Sequence, residues 1–384
     1  MKKFCHIADQ ISSRGGYKAS RENIRLYKLL FKGPAFDLSK LKKNYFNHLK
    51  FKIYKLTNFI FKLIFLKRID QIAITFPQFF NFFKSKNDQK KVFFINYSNM
   101  IFNYSLIKKY PNYKFIIFLY DEWPLRGLYH FNYHSKENSI INYISKYFQK
   151  KKIDLLVRKN VMILASTNYL KNEYIKLTNA NNINQIYYPI NHKFWTNKTF
   201  NQANKYLFLE KNFDYVLFIA RGGSSNFRKG GDLLIKILEK FKRNKKIKFL
   251  ILGEYNTDYI KKRFKNVEFL TIENDNDLRN LYSCVKVNLT LSRYENLPYS
   301  ILESLCCRVP NVSVDVGGIK EIISHRINGW IVKNKNINSI CDGINWSLKN
   351  HSKLKNICRK SVVNKFNYQV TKKKMKVLNY FIND

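Results

Sequence analysis

Two glutamates, Glu295 and Glu303, stand eight positions apart in VNLTLSRYENLPYSILESLCCRVPNVSVDVGGIKEIISHRINGWIV, residues 287–332. The first falls in a polar loop with Arg293 and Asn296. The second follows Pro298 in a run whose apolar residues Ile301, Leu302 and Leu305 recur at helical spacing. One carboxylate in a loop and another about a turn and a half into the next helix could address two parts of one ligand. Proline is tolerated in a first helical turn, where its missing N–H would have no partner. Backbone N–H groups and the positive end of the helix dipole should therefore face the loop and favour an anion. A pair of solvated surface carboxylates is the bland alternative.

The elements that must position these groups can be read around them. An apolar alternation ending at Ser292 predicts a strand before the loop, and Val309–Val314 predicts a second strand after the helix. Gly317 and Gly318 then allow a close backbone approach or a positive φ before another helix at Ile319. Together these make a βαβα unit. Upstream, YVLFIARGGSSNFRKGGDLLIKIL at 215–238 reads as strand, loop, and a helix from near Gly231. Its basic cluster precedes a helix N-terminus with glycines beside it, a better setting for an anion than a solvated turn.

The stretch from Glu295 through VGGIKEII to HRINGWIV resembles the donor-site signature of glycosyltransferase family 4, retaining enzymes of the GT-B fold. The resemblance implies that Glu303 holds the ribose hydroxyls of a nucleotide sugar. Glu295, with the Asn296 and Leu297 amides, would meet the sugar and diphosphate. In the 215–238 loop it implies an Arg and a Lys that neutralise the diphosphate: Lys229 fits, and Arg221 stands at the expected place, with Arg228 as a substitute because the loop is longer than usual. It also implies front-face attack, with the leaving phosphate taking the acceptor proton, and no metal or other cofactor. Fixed positive groups matter here because preorganised charge is usually the largest catalytic contribution.

The N-terminal half carries weaker signals. Strand Phe4–Ala8 runs into a loop with Gly15 and Gly16, then a helical pattern; the resemblance makes Gly16 a lining residue of the interdomain cleft. Two strand-like runs, 91–98 and 114–123, lead to LYDEWPLRGLYHF at 119–131. That loop resembles one in a family branch making bacterial surface polysaccharide, with Asp121, Trp123, Pro124, Gly127 and His130 in place. Asp121 would accept a hydrogen bond from acceptor or sugar, or cap a turn. The histidine expected before it is Tyr120, whose phenol cannot become a cation near neutral pH. Leu128 and Tyr129 replace cysteines found in some relatives, and His130 and His134 lack a HExxH context, so no metal site is expected.

Composition sets outer bounds. The 384 residues suit two domains, and 45% hydrophobic residues exclude wholesale disorder. Six scattered cysteines without metal-ligand spacing read as reduced thiols. FCHIA followed by a glycine turn lacks a signal-peptide pattern, and no run reaches the roughly 20 apolar residues of a spanning helix. The formal charge of +44 suggests a polyanion or an anionic membrane. Lys, Asn, Ile, Phe and Tyr, all with A/T-rich codons, are abundant together, so base composition explains much of it. Neither a zinc-finger spacing nor an RNA-recognition motif accompanies the lysines, so no nucleic acid is expected. Residues 40–68 interleave Lys with Phe, Ile, Leu and Tyr: a basic amphipathic helix for anionic lipid, or a core-packed helix with a solvated lysine face.

The expectation is an α/β protein of GT-B type, two Rossmann-like doubly wound domains facing a cleft. An acceptor-binding domain spans 1–195, a nucleotide-sugar-binding domain 205–365, and a C-terminal helix over 366–384 crosses back to the first. The expected activity is hexosyl transfer from a nucleoside-diphosphate sugar to a glycan or lipid-linked acceptor in cell-surface polysaccharide or lipopolysaccharide synthesis. The expected location is cytoplasmic, peripheral at the inner face of the membrane. Two alternatives remain open: an inactive nucleotide-sugar-binding protein, for which Tyr120 speaks, and a basic adaptor for membrane or nucleic acid.

Overall fold

Runs apolar on both faces form the central strands: KVFFIN and KFIIFL are buried from their second residue onward. Such strands belong to parallel sheets covered on both sides by helices. The computed structural model describes residues 3–8, 22, 24–25, 35–37, 91–96, 104–127, 139–219, 227–253, 257–272 and 274–383. The chain divides into two units, Met1–Pro189 with Thr371–Asp384, and Ile190–Val370.

The first unit holds strands β1 (Lys3–Ala8), β2 (Ala35–Asp37), β3 (Lys91–Asn96), β4 (Lys114–Leu119), β5 (Val161–Ala165) and β6 (Ile183–Gln185). They form one sheet in the order β2-β1-β3-β4-β5-β6, with every pairing parallel. Helices α1 (Ser105–Lys109), α2 (Ser139–Leu156) and α3 (Asn168–Thr178) connect the later strands. One cluster gathers Phe93, Ile95, Phe115, Ile117, Leu156, Ile163, Leu170 and Tyr174 into the core between sheet and helices. Helix α3 starts where the Thr167 side chain accepts the Leu170 N–H and stops at Asn179, which takes the left-handed conformation.

The second unit holds β7 (Asp214–Ile219), α4 (Gly231–Phe241), β8 (Ile247–Leu252), α5 (Thr257–Arg263), β9 (Val267–Leu270), α6 (Asp275–Cys284), β10 (Val287–Thr290), α7 (Tyr299–Cys306), β11 (Asn311–Val314), β12 (Gly329–Val332) and α8 (Ile337–Phe366). Its sheet order is β12-β11-β10-β7-β8-β9, again all parallel. The chain moves outward from β7 to β9, then returns to β10 beside β7 and proceeds the other way. Between β7 and β10 lies the topological switch point, where loops after neighbouring strands diverge and leave a crevice.

Three local expectations are adjusted. Pro298 is the N-cap of α7 with extended backbone, φ −69° and ψ 124°, so the helix opens one residue later, at Tyr299. The helix expected from Ile319 is a single 3-10 turn, Ile319–Glu321. It ends early because the Asn328 side chain takes over its backbone groups, accepting from Ser324 N–H at 2.7 Å and donating to Ile322 O at 3.0 Å. The expected C-terminal helix is two, α9 (Tyr368–Lys374) and α10 (Val377–Asn383), both belonging in the main to the first unit. Between them Lys376 and Leu378 bond three residues back, to Lys373 O and Met375 O, and the tightened turn lets Met375, Leu378 and Ile382 all be buried. Polar side chains also tie β10 and β11 to the helix beside them. Buried Asn288 donates to Asn311 Oδ1 at 2.6 Å, and Asn311 to Ser304 Oγ at 2.7 Å, stitching the two strands to α7.

Among the described residues no helix is long and apolar enough to cross a membrane. Residues 40–68, Gly16, Arg221, His130 and His134 lie outside the described residues.

Candidate functional site

The loop after β10 and the loop before α4 rise from the two strands that flank the switch point. Arg293 N–H donates to Arg228 O at 2.7 Å, joining the loops through their main chains. Gly230, at φ +74°, caps α4, and a Cβ there would stand 2.2 Å from Leu291 O. Gly317, at φ +54°, lies on the other side of the β10 loop, where a Cβ would meet Glu295 O at 1.8 Å. Only glycine satisfies both the dihedral angle and the approach at these positions. The loop of Glu295 is thus held between two backbones.

Within it, Glu295 faces cations from the other loop. Its Oε1 accepts from Lys229 Nζ and, at 3.3 Å, from Arg228 Nη1, which also reaches Tyr294 O at 3.4 Å. The Glu295 side chain is 13% exposed, against 26% for Arg228 and 20% for Lys229. Burial would raise the Glu295 pKa. The charges of Lys229 and Arg228, with hydrogen bonds from Lys229 and Ser292, outweigh it and hold the carboxyl below the usual carboxylate range. Two cations for one carboxylate leave the cluster net positive. Alongside it, Arg293 grips Asp232 with both ends of its guanidinium, at 2.8 and 2.6 Å, and draws the Asp232 pKa down. Asp232 lies in the first turn of α4, where the helix dipole favours it.

Glu303 sits in the second turn of α7 and is 2% exposed. The Tyr282 phenol, from α6, hydrogen-bonds to it and also reaches Ser300 O at 3.2 Å. Burial first, then the Glu303 charge, holds that phenol well above its ordinary range, so it remains a donor. Asn296 and Leu297 are both buried, at 5% and 3% exposure, in the loop between the glutamates. The second unit therefore gathers Arg228, Lys229, Glu295, Asn296, Leu297 and Glu303 on two loops and one helix. Sequence reasoning passed over Tyr282, Ser292 and the Arg293–Asp232 pair. Arg293 stood in the polar loop, but nothing in its spacing pointed to Asp232, 61 residues away.

Asp121 is in the first unit, at the end of β4. It is 7% exposed, and its Oδ1 accepts the Trp123 N–H at 3.1 Å, the geometry of a side chain closing its own turn. Tyr120 beside it points inward, donating to Asn96 Oδ1 at 3.1 Å with its ring against Phe118 and Tyr188. Among the described residues no group of three or more His, Cys, Asp and Glu is placed to hold a metal.

Comparison with known proteins bears on the second unit and on the fold. Residues 201–362 match the family model for glycosyl transferases group 1. A segment of 166 residues is 30% identical to an uncharacterised glycosyltransferase of Methanocaldococcus jannaschii, covering 40% of this chain and 41% of that protein, so the match spans about two fifths of the curated relative. Over the whole chain the fold is similar to that of a glycosyltransferase from Rickettsia africae, with TM-score 0.67, 16% identity, and 100% and 99% of the two chains covered. It is similar also to Anabaena HepE solved with UDP-glucose, with TM-score 0.64, 14% identity and 98% and 99% coverage. These likenesses, with the two all-parallel sheets, show the GT-B fold built from two Rossmann-like domains.

Proposed function

We propose that this protein is a retaining glycosyltransferase that moves a hexose from a nucleoside-diphosphate sugar to an acceptor hydroxyl. The observation that carries the reading is the net-positive cluster of Arg228 and Lys229 on Glu295, at the switch point of the second sheet, with buried Glu303 in the adjoining helix. A diphosphate needs fixed positive charge, a ribose needs a fixed acceptor, and a sugar needs polar groups between them.

In this reading Arg228 and Lys229, with Arg221, hold the diphosphate, and Glu303 accepts from the ribose hydroxyls. Glu295 and the Asn296 and Leu297 amides meet the sugar. Gly16 and Asp121 serve from the first unit, Asp121 toward the acceptor. Attack comes on the face from which the diphosphate departs, and a leaving phosphate oxygen takes the acceptor proton. Arg228 and Lys229 supply the compensating charge, so the reaction is taken to run without a metal or other cofactor. Anabaena HepE, solved with UDP and with UDP-glucose, supports a uridine nucleotide as the first donor to try. The acceptor is taken to be a glycan or lipid-linked intermediate of surface-polysaccharide or lipopolysaccharide synthesis. The enzyme would work in the cytoplasm, peripheral to the inner face of the membrane.

The test is thermal stabilisation by a panel of nucleoside diphosphates, wild type against Glu303→Ala at one salt concentration. Ligand at about 100 times its dissociation constant should stabilise the native state by roughly 2.7 kcal/mol. One diphosphate stabilising the wild type and not the variant supports the site and identifies the base. Stabilisation by nucleic acid or anionic lipid alone, falling steeply with salt and indifferent to Glu303→Ala, would instead favour a basic adaptor.

A further inference from the structure

The turn that follows β4, Asp121–Gly127, is gripped from one side by a single helix face. Ser145, Gln149 and Lys152 of α2 fall at i, i+4 and i+7, a spacing that puts them on one stripe. Ser145 O stands so near Gly127 that a Cβ there would come within 1.8 Å of it. Gln149 Nε2 donates to Leu125 O at 2.8 Å. Lys152 Nζ donates to Arg126 O at 2.9 Å and Gly127 O at 3.0 Å, reaches Trp123 O at 3.5 Å, and lies 3.7 Å from the centroid of the Trp123 indole. Lys152 is 8% exposed. Three main-chain carbonyls and an aromatic face thus converge on one buried ammonium.

The opposite side of the turn is closed differently. Arg126 bonds Glu122, with Nε at 2.8 Å and Nη2 at 2.5 Å, and Glu173 of α3 at 2.9 Å; the Tyr169 phenol of α3 donates to the second oxygen of Glu122. Among the described residues, the charged and titratable groups around the turn are Asp121 at the strand end, Glu122 and Arg126 within it, and Tyr169 and Glu173 on α3. Ser145 and Gln149 are the uncharged polar side chains on the face that Lys152 shares. Burial and then the Glu122 hydrogen bond hold the Tyr169 phenol well above its ordinary range.

We propose that Lys152 is a positioning residue: its ammonium holds the carbonyls of Trp123, Arg126 and Gly127, and thereby fixes the turn whose first residue, Asp121, meets the acceptor. The role assigned to Asp121 rests on the function proposed above; the grip itself does not. Burial draws the Lys152 pKa down from 10.5 to about 7, against the opposing pull of Asp121. An ammonium offers three donors and no lone pair. Losing its proton removes one donor and the attraction to the indole, and sets a lone pair among carbonyl oxygens. The turn then loses its anchor while Arg126 still holds the far side.

The experiment follows Trp fluorescence and transfer kinetics between about pH 5.5 and 8.5 in wild type, Lys152→Met, Lys152→Arg and Trp123→Phe. The wild type should show an emission change with a midpoint near 7 that is missing from Trp123→Phe, Lys152→Met and Lys152→Arg. As pH rises through the same midpoint, kcat should fall roughly ten- to hundredfold to a lower plateau, with donor KM unchanged, since misplacement slows rather than abolishes the reaction. Lys152→Met should sit on that plateau at every pH, and Lys152→Arg should recover kcat without the step. Retention of the fluorescence change in Lys152→Arg would overturn the proposal even if Lys152→Met does not fold. Absence of transfer with every donor, alongside an intact fluorescence step, would sink the transferase reading and leave the grip standing. Transfer with no step assignable to Lys152 would do the reverse.

Discussion

Lys229 and Glu295, 66 positions apart, meet as a largely buried ion pair between the loops that flank the switch point of the second sheet. Arg228 joins the same carboxylate, so removing Glu295 leaves two cations facing each other, whereas removing Lys229 leaves one pair intact. Glu295→Gln should therefore destabilise the second unit more than Lys229→Met, by about 2 kcal/mol at neutral pH. The folded pKa of Glu295 is held below its unfolded value near 4.5, so its contribution is complete above that value and fades as pH falls through the folded pKa. Urea unfolding of wild type and Glu295→Gln at neutral pH and at about pH 3 should show the difference shrinking with acid.

The Arg293–Asp232 pair is a weaker tie because the Asp232 side chain is 49% exposed. Asp232→Asn should cost no more than about 1 kcal/mol, and salt should reduce even that. A larger, salt-independent loss in denaturant unfolding would mean that the pair holds the loop geometry.

Gly317→Ala forces a Cβ into Glu295 O and an L residue into φ +54°. The cost should be about 2–3 kcal/mol, from strain plus displacement of the loop. Stabilisation by nucleoside diphosphate should drop with it. A thermal shift unchanged from wild type at saturating nucleotide would count against the site.

Tyr282→Phe removes a buried donor from Glu303 without changing shape. A loss of about 1–2 kcal/mol in unfolding free energy is expected. Tyr282 is held well above the ordinary phenol range, so its absorbance should not titrate before alkaline unfolding.

The thiols of Cys284, Cys306 and Cys358 are each pushed up to about 12 chiefly by burial, and burial also holds that of Cys307 well above the ordinary thiol range. The thiolate is the nucleophile, so these four should resist a thiol reagent at neutral pH until the protein unfolds. Rapid labelling of any of them in the native state would contradict their packing.

Much of the second unit could be read in advance because its signals are local. Val287–Thr290, Gly231–Phe241 and Tyr299–Cys306 declare themselves by short-range periodicity, and a lysine and arginine before a glycine at a helix start carry their own electrostatic logic. The ends of elements were harder. The stop after Glu321 depends on Asn328, and the break at Met375 goes with the burial of Met375, Leu378 and Ile382.

The sequence by itself determined the two parallel α/β layers and the loops and helix that carry Lys229, Glu295 and Glu303, since buried strands, helix starts and glycine turns are set by neighbours a few residues away. Only the tertiary structure decided which charges pair. Lys229 with Glu295, Arg293 with Asp232, Tyr282 with Glu303, and Lys152 beneath the Asp121 turn are all set by sheet order, which brings together loops and helices far apart in the chain. Asp121 shows the limit most plainly. From sequence it could cap a turn or face an acceptor; its Oδ1 accepts the Trp123 N–H, and the acceptor role proposed above would be played from that capped turn. The reason is physical: a short carboxylate at a strand end meets its own backbone first, and any further partner depends on how the surrounding helices hold the turn.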